Sequence, residues 1–178
     1  LSAVEVCSAL TEGLKTNNSN LNVISCPMAD GGDGSLDTIS HYFNLKPVEL
    51  IVNDPLFSPI RSTYYISQRT AYIEMSSASG LVLLKKEERN CMNTSSFGTG
   101  ELILDALQNG ATTINLFIGG SATNDGGIGM ASAFGYKFYD SSENLLTPLG
   151  KNLLLINRID NTEVQFDPQK VNIKVVCD

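Results

Sequence analysis

The sequence predicts an α/β fold, because a unit of strand, glycine-rich loop and helix occurs twice along the chain. One unit spans residues 21–43 and the other spans residues 114–134. In each unit an apolar run of strand length leads into a loop of glycines, small polar residues and acids, and a helix with an apolar face follows. Two such units favour a parallel sheet that binds ligands at the carboxyl ends of its strands.

The first 45 residues predict two helices and one strand. Ser2 and Glu5 are spaced as a capping box, and apolar residues at helical spacing extend the helix to about Lys15. Residues 21–26 form a short apolar run that predicts a strand. After the first glycine loop, Ser35 is the predicted cap of the second helix.

The middle of the chain changes to short β-rich segments separated by turn residues. Residues 48–52, 62–66 and 71–75 have this pattern, which predicts an antiparallel arrangement. We therefore place a domain boundary near residue 46, which divides the chain into residues 1–45 and 46–178. The other predicted elements are helices at about 99–108, ending at Gly110, and 128–134, and strands at 136–139 and 171–176.

The composition indicates a globular protein and argues against two classes of partner. Hydrophobic residues make up 42% of the 178 residues, charged residues make up 17%, and the net charge is −7. We expect no nucleic-acid partner, since a phosphate backbone needs clustered cations and the longest run here is Lys85-Lys86. We also expect no membrane span, because no apolar run reaches the ~20 residues that cross a bilayer. The cysteines are widely spaced and no signal peptide is evident, which together predict reduced thiols and a cytoplasmic location.

The first glycine loop carries two acids, Asp30 and Asp33, on either side of Gly31-Gly32. Carboxylates in a loop after a strand suit Mg²⁺, which takes oxygen ligands and keeps several waters. The alternative is that both acids favour the start of the following helix, where Asp is common. The residues alone leave both interpretations open.

The second glycine loop, residues 118–130, holds five glycines, one carboxylate and several small polar side chains. Glycines can turn backbone N–H groups toward an anion, and the helix that follows adds positive partial charge. No Lys follows the glycines, so this is not a Walker phosphate loop, and a metal ion would have to link Asp125 to a phosphate. The predicted anion-binding residues of this loop are Gly119, Gly120, Ser121, Thr123 and Asn124.

Two further segments are candidates for the site. Glu74 ends a predicted strand and is followed by three serines, although a plain polar exit from the strand explains this pattern equally well. Residues 94–101 resemble an anion-binding nest at the start of a helix, and an N-capping cluster is the alternative. The candidates in this second segment are Ser95, Ser96, Gly98 and Thr99.

Taken together, five stretches of the chain resemble the glycerate kinase family of bacteria. They are residues 27–35, 53–55, 74–81, 94–103 and 118–127, and they occur in the order and at the spacing of that family. The sequence departs from the family at two of them. It has Asp33-Gly34-Ser35 where the family usually has Glu-Gly-Thr, and Phe97 where the family usually has Tyr.

The resemblance implies two α/β domains with the ligand site in the cleft between them. Residues 1–45 would belong to a partial Rossmann-like domain with a parallel sheet, and residues 46–178 to a second, mixed α/β domain. The family has a further strand and a Lys-containing segment ahead of the position of Leu1, and it continues well past Asp178. We therefore expect this chain to be the N-terminal part of such an enzyme and to be inactive by itself.

The implied reaction is the transfer of phosphate from ATP to glycerate, assisted by Mg²⁺. Asp30 and Asp125 are the predicted catalytic residues, and Asp30, Asp33 and Asp125 are the predicted metal ligands. The anion-binding residues named above would hold phosphate or the glycerate carboxylate, and Glu74 would be a further residue that binds substrate or phosphate.

Two other functions remain open from the sequence. The chain could be a non-catalytic module that binds an anion or nucleotide, or the enzyme could phosphorylate a related hydroxy acid. The residues do not indicate which glycerate hydroxyl reacts, which group is the acid or base, or whether the protein forms a homo-oligomer.

Overall fold

A computed structural model describes residues 1–177 of the protein. Seven strands form two sheets in this part of the chain, and their bounds are β1 Lys46–Asn53, β2 Pro59–Ser67, β3 Thr70–Glu74, β4 Thr113–Phe117, β5 Lys137–Tyr139, β6 Arg158–Asp160 and β7 Asn172–Val176. The main sheet has the order β1-β2-β3-β4-β7, and β5 pairs with β6 in a small second sheet. The class is α/β with a mixed sheet, in agreement with the sequence.

The main sheet is antiparallel on one side and parallel on the other. β1, β2 and β3 pair in antiparallel fashion, with Val48 opposite Tyr64 and Tyr65 opposite Tyr72, which confirms the antiparallel stretch predicted for this region. β3, β4 and β7 run parallel, and Leu116 of β4 lies opposite both Ile73 and Val175. The carboxyl ends of these three strands therefore meet at one edge of the sheet.

Five α-helices accompany the sheets in the described part of the chain, and the fourth packs against β1, β2 and β3 of the main sheet. Their bounds are α1 Ala3–Asn17, α2 Ser35–Tyr42, α3 Ser76–Ser79, α4 Phe97–Gln108 and α5 Ile128–Ala133, with short 3₁₀ segments at Leu81–Leu83, Lys86–Glu88, Gly150–Leu155 and Pro168–Lys170. The capping box predicted for α1 is present, since the Glu5 N–H donates to Ser2 Oγ at 3.2 Å and the Ser2 N–H donates to Glu5 Oε2 at 2.7 Å. No helix of residues 1–177 is both long and apolar enough to cross a bilayer.

The core lies between the sheet and α4. Tyr64, Ile73, Leu102 and Ile114 are fully buried there, and burial of a leucine or isoleucine side chain contributes about 1.5–3 kcal/mol. α4 approaches α5 closely at Gly100, where an added Cβ would lie 2.7 Å from the Met130 carbonyl oxygen. This close approach fixes the amino-terminal ends of both helices, which carry predicted site residues.

Two predictions for the first 45 residues are wrong. Residues 21–26 are not a strand, because a strand requires hydrogen bonds to a neighbour and no described strand pairs with this segment. Ile24 is 81% exposed, which shows that its apolar side chain has no covering layer here. Ser35 does not cap α2, because Gly34 holds the cap position with a φ of 84° and Ser35 Oγ instead accepts the N–H of Gly31 at 3.1 Å. The proposed boundary at residue 46 stays a prediction.

Candidate functional site

The predicted site residues surround the carboxyl ends of β3 and β4. Glu74 ends β3, residues 119–125 follow β4, and residues 95–99 span the start of α4. Asp30 and Asp33 lie in the first glycine loop, which contacts the second. The strand ends remain joined beyond the ladder, since the Met75 N–H donates to the Phe117 carbonyl at 2.8 Å and the Ile118 N–H donates to the Val176 carbonyl at 3.2 Å. This is the edge at which α/β sheets bind ligands.

The two glycine loops pack directly against each other at this edge. The Gly119 N–H donates to the Gly31 carbonyl oxygen at 2.9 Å. An added Cβ at Gly119 would lie 2.5 Å from Gly32 Cα, and one at Gly120 would lie 2.8 Å from Asp33 Oδ1. A Cβ at Gly119 would meet backbone, which cannot move aside easily. Gly120 has a φ of 71°, which residues with a side chain rarely adopt. Both positions therefore favour glycine. The sequence suggested that both glycines bind an anion. The N–H of Gly119 is instead engaged by the Gly31 carbonyl, and anion binding by Gly120 stays a prediction.

Asp30 and Asp33 share one cavity of about 450 Å³, which lies between the start of α1 and the first glycine loop. Both residues are exposed, and Asp30 Oδ1 accepts the N–H of Gly32 at 2.8 Å. The other lining residues are Leu1, Ser2, Ala3, Met28, Ala29, Gly34, Ser35 and Thr38.

The carboxylates of this cavity suit a magnesium ion that is coordinated mainly by substrate phosphates and water. Within residues 1–177, no three His, Cys, Asp or Glu side chains are grouped so that they could hold a metal ion. Asp30, Asp33 and Asp125 are therefore not brought together as the three metal ligands that the sequence suggested. Mg²⁺ in phosphoryl-transfer sites is commonly bound by one or two carboxylates together with substrate phosphates, and Asp30 and Asp33 are the two carboxylates that line this cavity.

Glu74 joins the end of β3 to the start of α2. Its Oε1 accepts the N–H of Leu36 at 2.8 Å. Burial raises the pKa of the Glu74 carboxyl, the N–H of Leu36 opposes that shift, and the nearby carboxylates of Asp33 and Asp37 add to it. A second cavity of about 330 Å³ opens beside Glu74, so the carboxyl is half-buried yet reachable from outside.

The hydroxyl-rich segment before α4 faces the protein interior. Thr94, Ser95, Ser96 and Thr99 are fully buried, and the Thr99 hydroxyl is hydrogen-bonded to the Ser79 hydroxyl at 2.7 Å. Gly98 is also buried, and an added Cβ there would overlap the carbonyl oxygen of Asn53. The structure brings these candidate residues close together, but their described contacts are with the protein and not with either cavity.

Asp125 belongs to the second glycine loop, but its side chain points into the protein and is buried. Its side chain is 3% exposed and accepts hydrogen bonds from the Ser96 N–H and hydroxyl and from the N–H groups of Gly127 and Gly129. Its neighbours in the loop face outward, since Gly120, Ser121 and Asn124 are exposed and Thr123 is half-buried. The assignment of Asp125 as base or metal ligand stays a prediction.

Sequence reasoning did not single out Glu101 or Ser79, and both support the site. Glu101 Oε2 accepts the backbone N–H of Asn53 at 2.7 Å and thereby ties the end of β1 to α4. The Ser79 carbonyl accepts the N–H of Ala122 at 2.9 Å and holds the second glycine loop from the side of α3. Glu101 lies in residues 94–103 and Ser79 in residues 74–81, two of the stretches that resemble the family. Their position in these stretches is the signal by which they could have been found.

The fold and these loops define an α/β protein with a candidate ligand site at the carboxyl edge of a mixed sheet. The sequence profile of the Glycerate kinase family matches residues 1–178, and the chain belongs to that family. It is 41% identical to a glycerate kinase of Haemophilus influenzae over 180 residues, which cover 100% of this chain and 48% of that protein. It is 40% identical to glycerate 2-kinase of Escherichia coli over 180 residues, which cover 100% of this chain and 47% of that protein.

The structural comparison agrees with the sequence comparison. The crystal structure of a candidate glycerate kinase 2 from Salmonella typhimurium LT2 superimposes with a TM-score of 0.84 at 36% sequence identity. The match covers 100% of this chain and 49% of that one. The chain therefore spans about half the length of the relatives it matches, as expected for the N-terminal part of a glycerate kinase.

Proposed function

We propose that the full-length protein is an ATP-dependent glycerate kinase. The observation that supports this most directly is the position of the family motifs, whose two glycine loops touch through Gly31 and Gly119 at the ligand-binding edge of the sheet. Phosphoryl transfer depends mainly on positioning and on stabilising charge, and loops of this kind provide both.

The exposed part of the second glycine loop is the proposed binding surface for phosphate or for the glycerate carboxylate. Backbone N–H groups at Gly120 and the side chains of Ser121, Thr123 and Asn124 are hydrogen-bond donors of the kind that oxyanions require. The buried residues Ser95, Ser96, Gly98 and Thr99 would support this surface from within. Glu74, at the neighbouring strand end, would contact substrate through its open side.

Asp30 and Asp33 are the proposed metal side of the site. A bound Mg²⁺ would neutralise phosphate charge, which no lysine in the glycine loops can do. The two carboxylates would hold and orient the ion from the wall of their shared cavity. The complete site would lie in the cleft between the partial Rossmann-like domain and the mixed α/β domain.

The acceptor is proposed to be the 2-hydroxyl of glycerate, because the Escherichia coli relative bears the name glycerate 2-kinase.

A cytoplasmic location is proposed because the four cysteines are unpaired within the described residues, as is usual in a reducing compartment. A homo-oligomer remains compatible with this proposal.

The proposal is tested by measuring ADP release from ATP by the full-length protein with and without glycerate and Mg²⁺. We expect ADP release that depends on glycerate, and phosphorus NMR should identify 2-phosphoglycerate as product. Turnover with a different hydroxy acid and none with glycerate would refute the substrate. Binding of ATP with Mg²⁺ in calorimetry, without turnover on any hydroxy acid, would instead identify a non-catalytic module.

A further inference from the structure

We infer that Asp125 is a positioning residue, which fixes the 121–124 loop against the amino-terminal ends of α4 and α5. The sequence suggested that it is a catalytic base or a metal ligand. The inference rests on the proposed kinase function for its kinetic tests, but its structural test needs no turnover.

The carboxylate of Asp125 connects three segments through four donors. Oδ2 accepts the Ser96 N–H at 2.7 Å, the Ser96 hydroxyl at 2.8 Å and the Gly129 N–H at 3.2 Å, and Oδ1 accepts the Gly127 N–H at 2.9 Å. A carboxylate offers about four lone-pair sites. The Ser96 hydroxyl also lies 3.1 Å from Oδ1, so each carboxylate oxygen already has at least two protein donors where a metal ion or a substrate proton would bind.

Ser96 extends the connection to α5. Its hydroxyl donates to Asp125 and accepts the N–H of Met130 at 3.1 Å. Both side chains are buried, with Asp125 at 3% and Ser96 at 0% exposure. Hydrogen bonds to a charged acceptor in such surroundings are stronger than ordinary ones.

Glycine at position 129 keeps this arrangement compact. An added Cβ there would lie 2.5 Å from Asp125 Oδ2 and 2.6 Å from the Ser96 backbone nitrogen. No side chain fits between the carboxylate and the start of α5, so the carboxylate is enclosed by backbone.

The 121–124 loop is anchored at two buried positions, Ala122 and Asp125. Ala122 is buried and is fixed on both sides, because its carbonyl accepts the Thr94 hydroxyl at 2.8 Å and its N–H donates to the Ser79 carbonyl at 2.9 Å. Asp125 is the next buried position, while Ser121 and Asn124 are exposed. Ala122 and Asp125 thus anchor the loop from below, and the residues beside them present their polar groups outward.

A catalytic base must come within hydrogen-bond reach of the proton it removes, and Asp125 is buried and is not among the residues that line the cavities beside Asp30 and Glu74. Asp125 would therefore affect catalysis by fixing the geometry of the 121–124 loop. Loss of that geometry should weaken ligand binding and lower the rate. The pH dependence of the rate should stay the same, because no group whose ionisation controls the rate is lost.

The test compares Asp125→Asn, Ser96→Ala and the double variant in the full-length protein, with Tyr64→Phe as a control for general destabilisation. Tyr64 contacts Asp105 and Asn109 at the far end of α4. Steady-state kinetics give KM, kcat, their pH profiles and the Mg²⁺ concentration for half-maximal rate. Amide hydrogen exchange reports directly on the order of the 121–124 loop.

We expect Asp125→Asn to raise KM by about tenfold to a hundredfold, as loss of charged hydrogen bonds would, and to speed exchange at residues 121–124. Ser96→Ala should do the same to a smaller extent, and the double variant should be little worse than Asp125→Asn. The pH profile and the Mg²⁺ requirement should stay as in the wild type. Tyr64→Phe should lower the melting temperature without changing loop exchange.

Several results would overturn the inference. One is loss of the acidic limb of the pH profile in Asp125→Asn while Ser96→Ala behaves as wild type, since this identifies a base. Another is a raised Mg²⁺ requirement, which identifies a metal ligand. If Asp125→Asn does not fold, Ser96→Ala carries the test alone, and unchanged loop exchange there refutes the role. If the wild type has no glycerate-dependent activity, the exchange data still decide the question.

Discussion

The backbone N–H of Gly119 donates to the carbonyl oxygen of Gly31 at 2.9 Å, and this single bond joins two loops that are far apart in the sequence. The absence of side chains makes the bond possible, since a Cβ at Gly119 would lie 2.5 Å from Gly32 Cα. The relative position of the two loops is therefore fixed by backbone contact.

Gly119→Ala should separate the two loops. We expect a loss of about 1–3 kcal/mol in the free energy of unfolding, because the clash is with backbone that cannot move aside easily, together with weaker binding of ATP with Mg²⁺. Chemical denaturation and calorimetry measure the two effects. The matched control is Gly13→Ala in α1, where nothing lies within 4 Å of the added Cβ. Equal behaviour of the two variants would show that the loop contact is unimportant.

Replacement of Asp30 or Asp33 by Asn should raise the Mg²⁺ concentration that gives half-maximal rate by about tenfold or more, since each variant removes a proposed ligand charge. Steady-state rates at varied Mg²⁺ and fixed ATP provide the measurement. Glu12→Gln removes the same charge from an exposed position of α1 that lines neither cavity. An equal shift in that control would indicate a general electrostatic effect and not metal binding.

Glu74 should make the stability of the protein depend on pH. The folded-state pKa of its carboxyl is raised above the ordinary value of 4.5, chiefly by burial. The folded state then binds the proton more tightly than the unfolded state, so this contribution is fully present below the ordinary pKa and is lost as the pH rises through the folded pKa. Glu74→Gln, which keeps an acceptor for the Leu36 N–H, should remove this decline.

The measurement for Glu74 is the free energy of unfolding of both proteins from about pH 4 upward. The difference between wild type and Glu74→Gln should change with pH in the direction that favours the variant at higher pH. Glu12→Gln, at an exposed position of α1, is the control for loss of a carboxylate. A constant difference across this range would contradict the prediction.

Tyr64→Phe should destabilise the core by about 1–2 kcal/mol. The buried hydroxyl donates to Asp105 Oδ2 at 2.8 Å and accepts from Asn109 Nδ2 at 3.1 Å, so its removal leaves both partners short of a bond. Thermal and chemical unfolding measure the loss. Tyr72→Phe, at a half-buried position on the neighbouring strand, is the comparison. A Tyr64→Phe protein as stable as wild type would show that water or neighbouring groups replace the hydroxyl.

Local sequence patterns were sufficient for the strands of the main sheet and for most helices. The β-rich segments at 48–52, 62–66 and 71–75 pair with neighbours only a turn away, and turn residues mark each boundary. The segment at 21–26 has an equally apolar pattern but no described partner, and an apolar run cannot reveal whether a neighbour exists. Ser35 shows the same limit at one residue, because its hydroxyl bonds to Gly31 across the loop instead of capping the helix.

The site was predicted as a set of motifs but not as a geometry. The segment before α4 could equally be an anion nest or a capping cluster, and only the fold shows that Ser96 and Thr99 are fully buried. Asp125 illustrates the physical reason, since its partner Ser96 lies 29 residues away in the sequence. Burial and partners of this kind depend on tertiary packing, which periodicity and spacing do not encode.

The division of the main sheet into antiparallel and parallel halves has a consequence for the order of folding. β1, β2 and β3 are joined by short turns, whereas the connection between β4 and β7 consists of residues 118–171. Closing a long loop costs more entropy than closing a short one. We therefore expect the three-stranded meander to gain amide protection first and β7 to dock last, which pulse-labelled hydrogen exchange during refolding would reveal. On this route the two glycine loops can come together only after the β3–β4 crossover is complete, so the site would be among the last parts of the chain to mature.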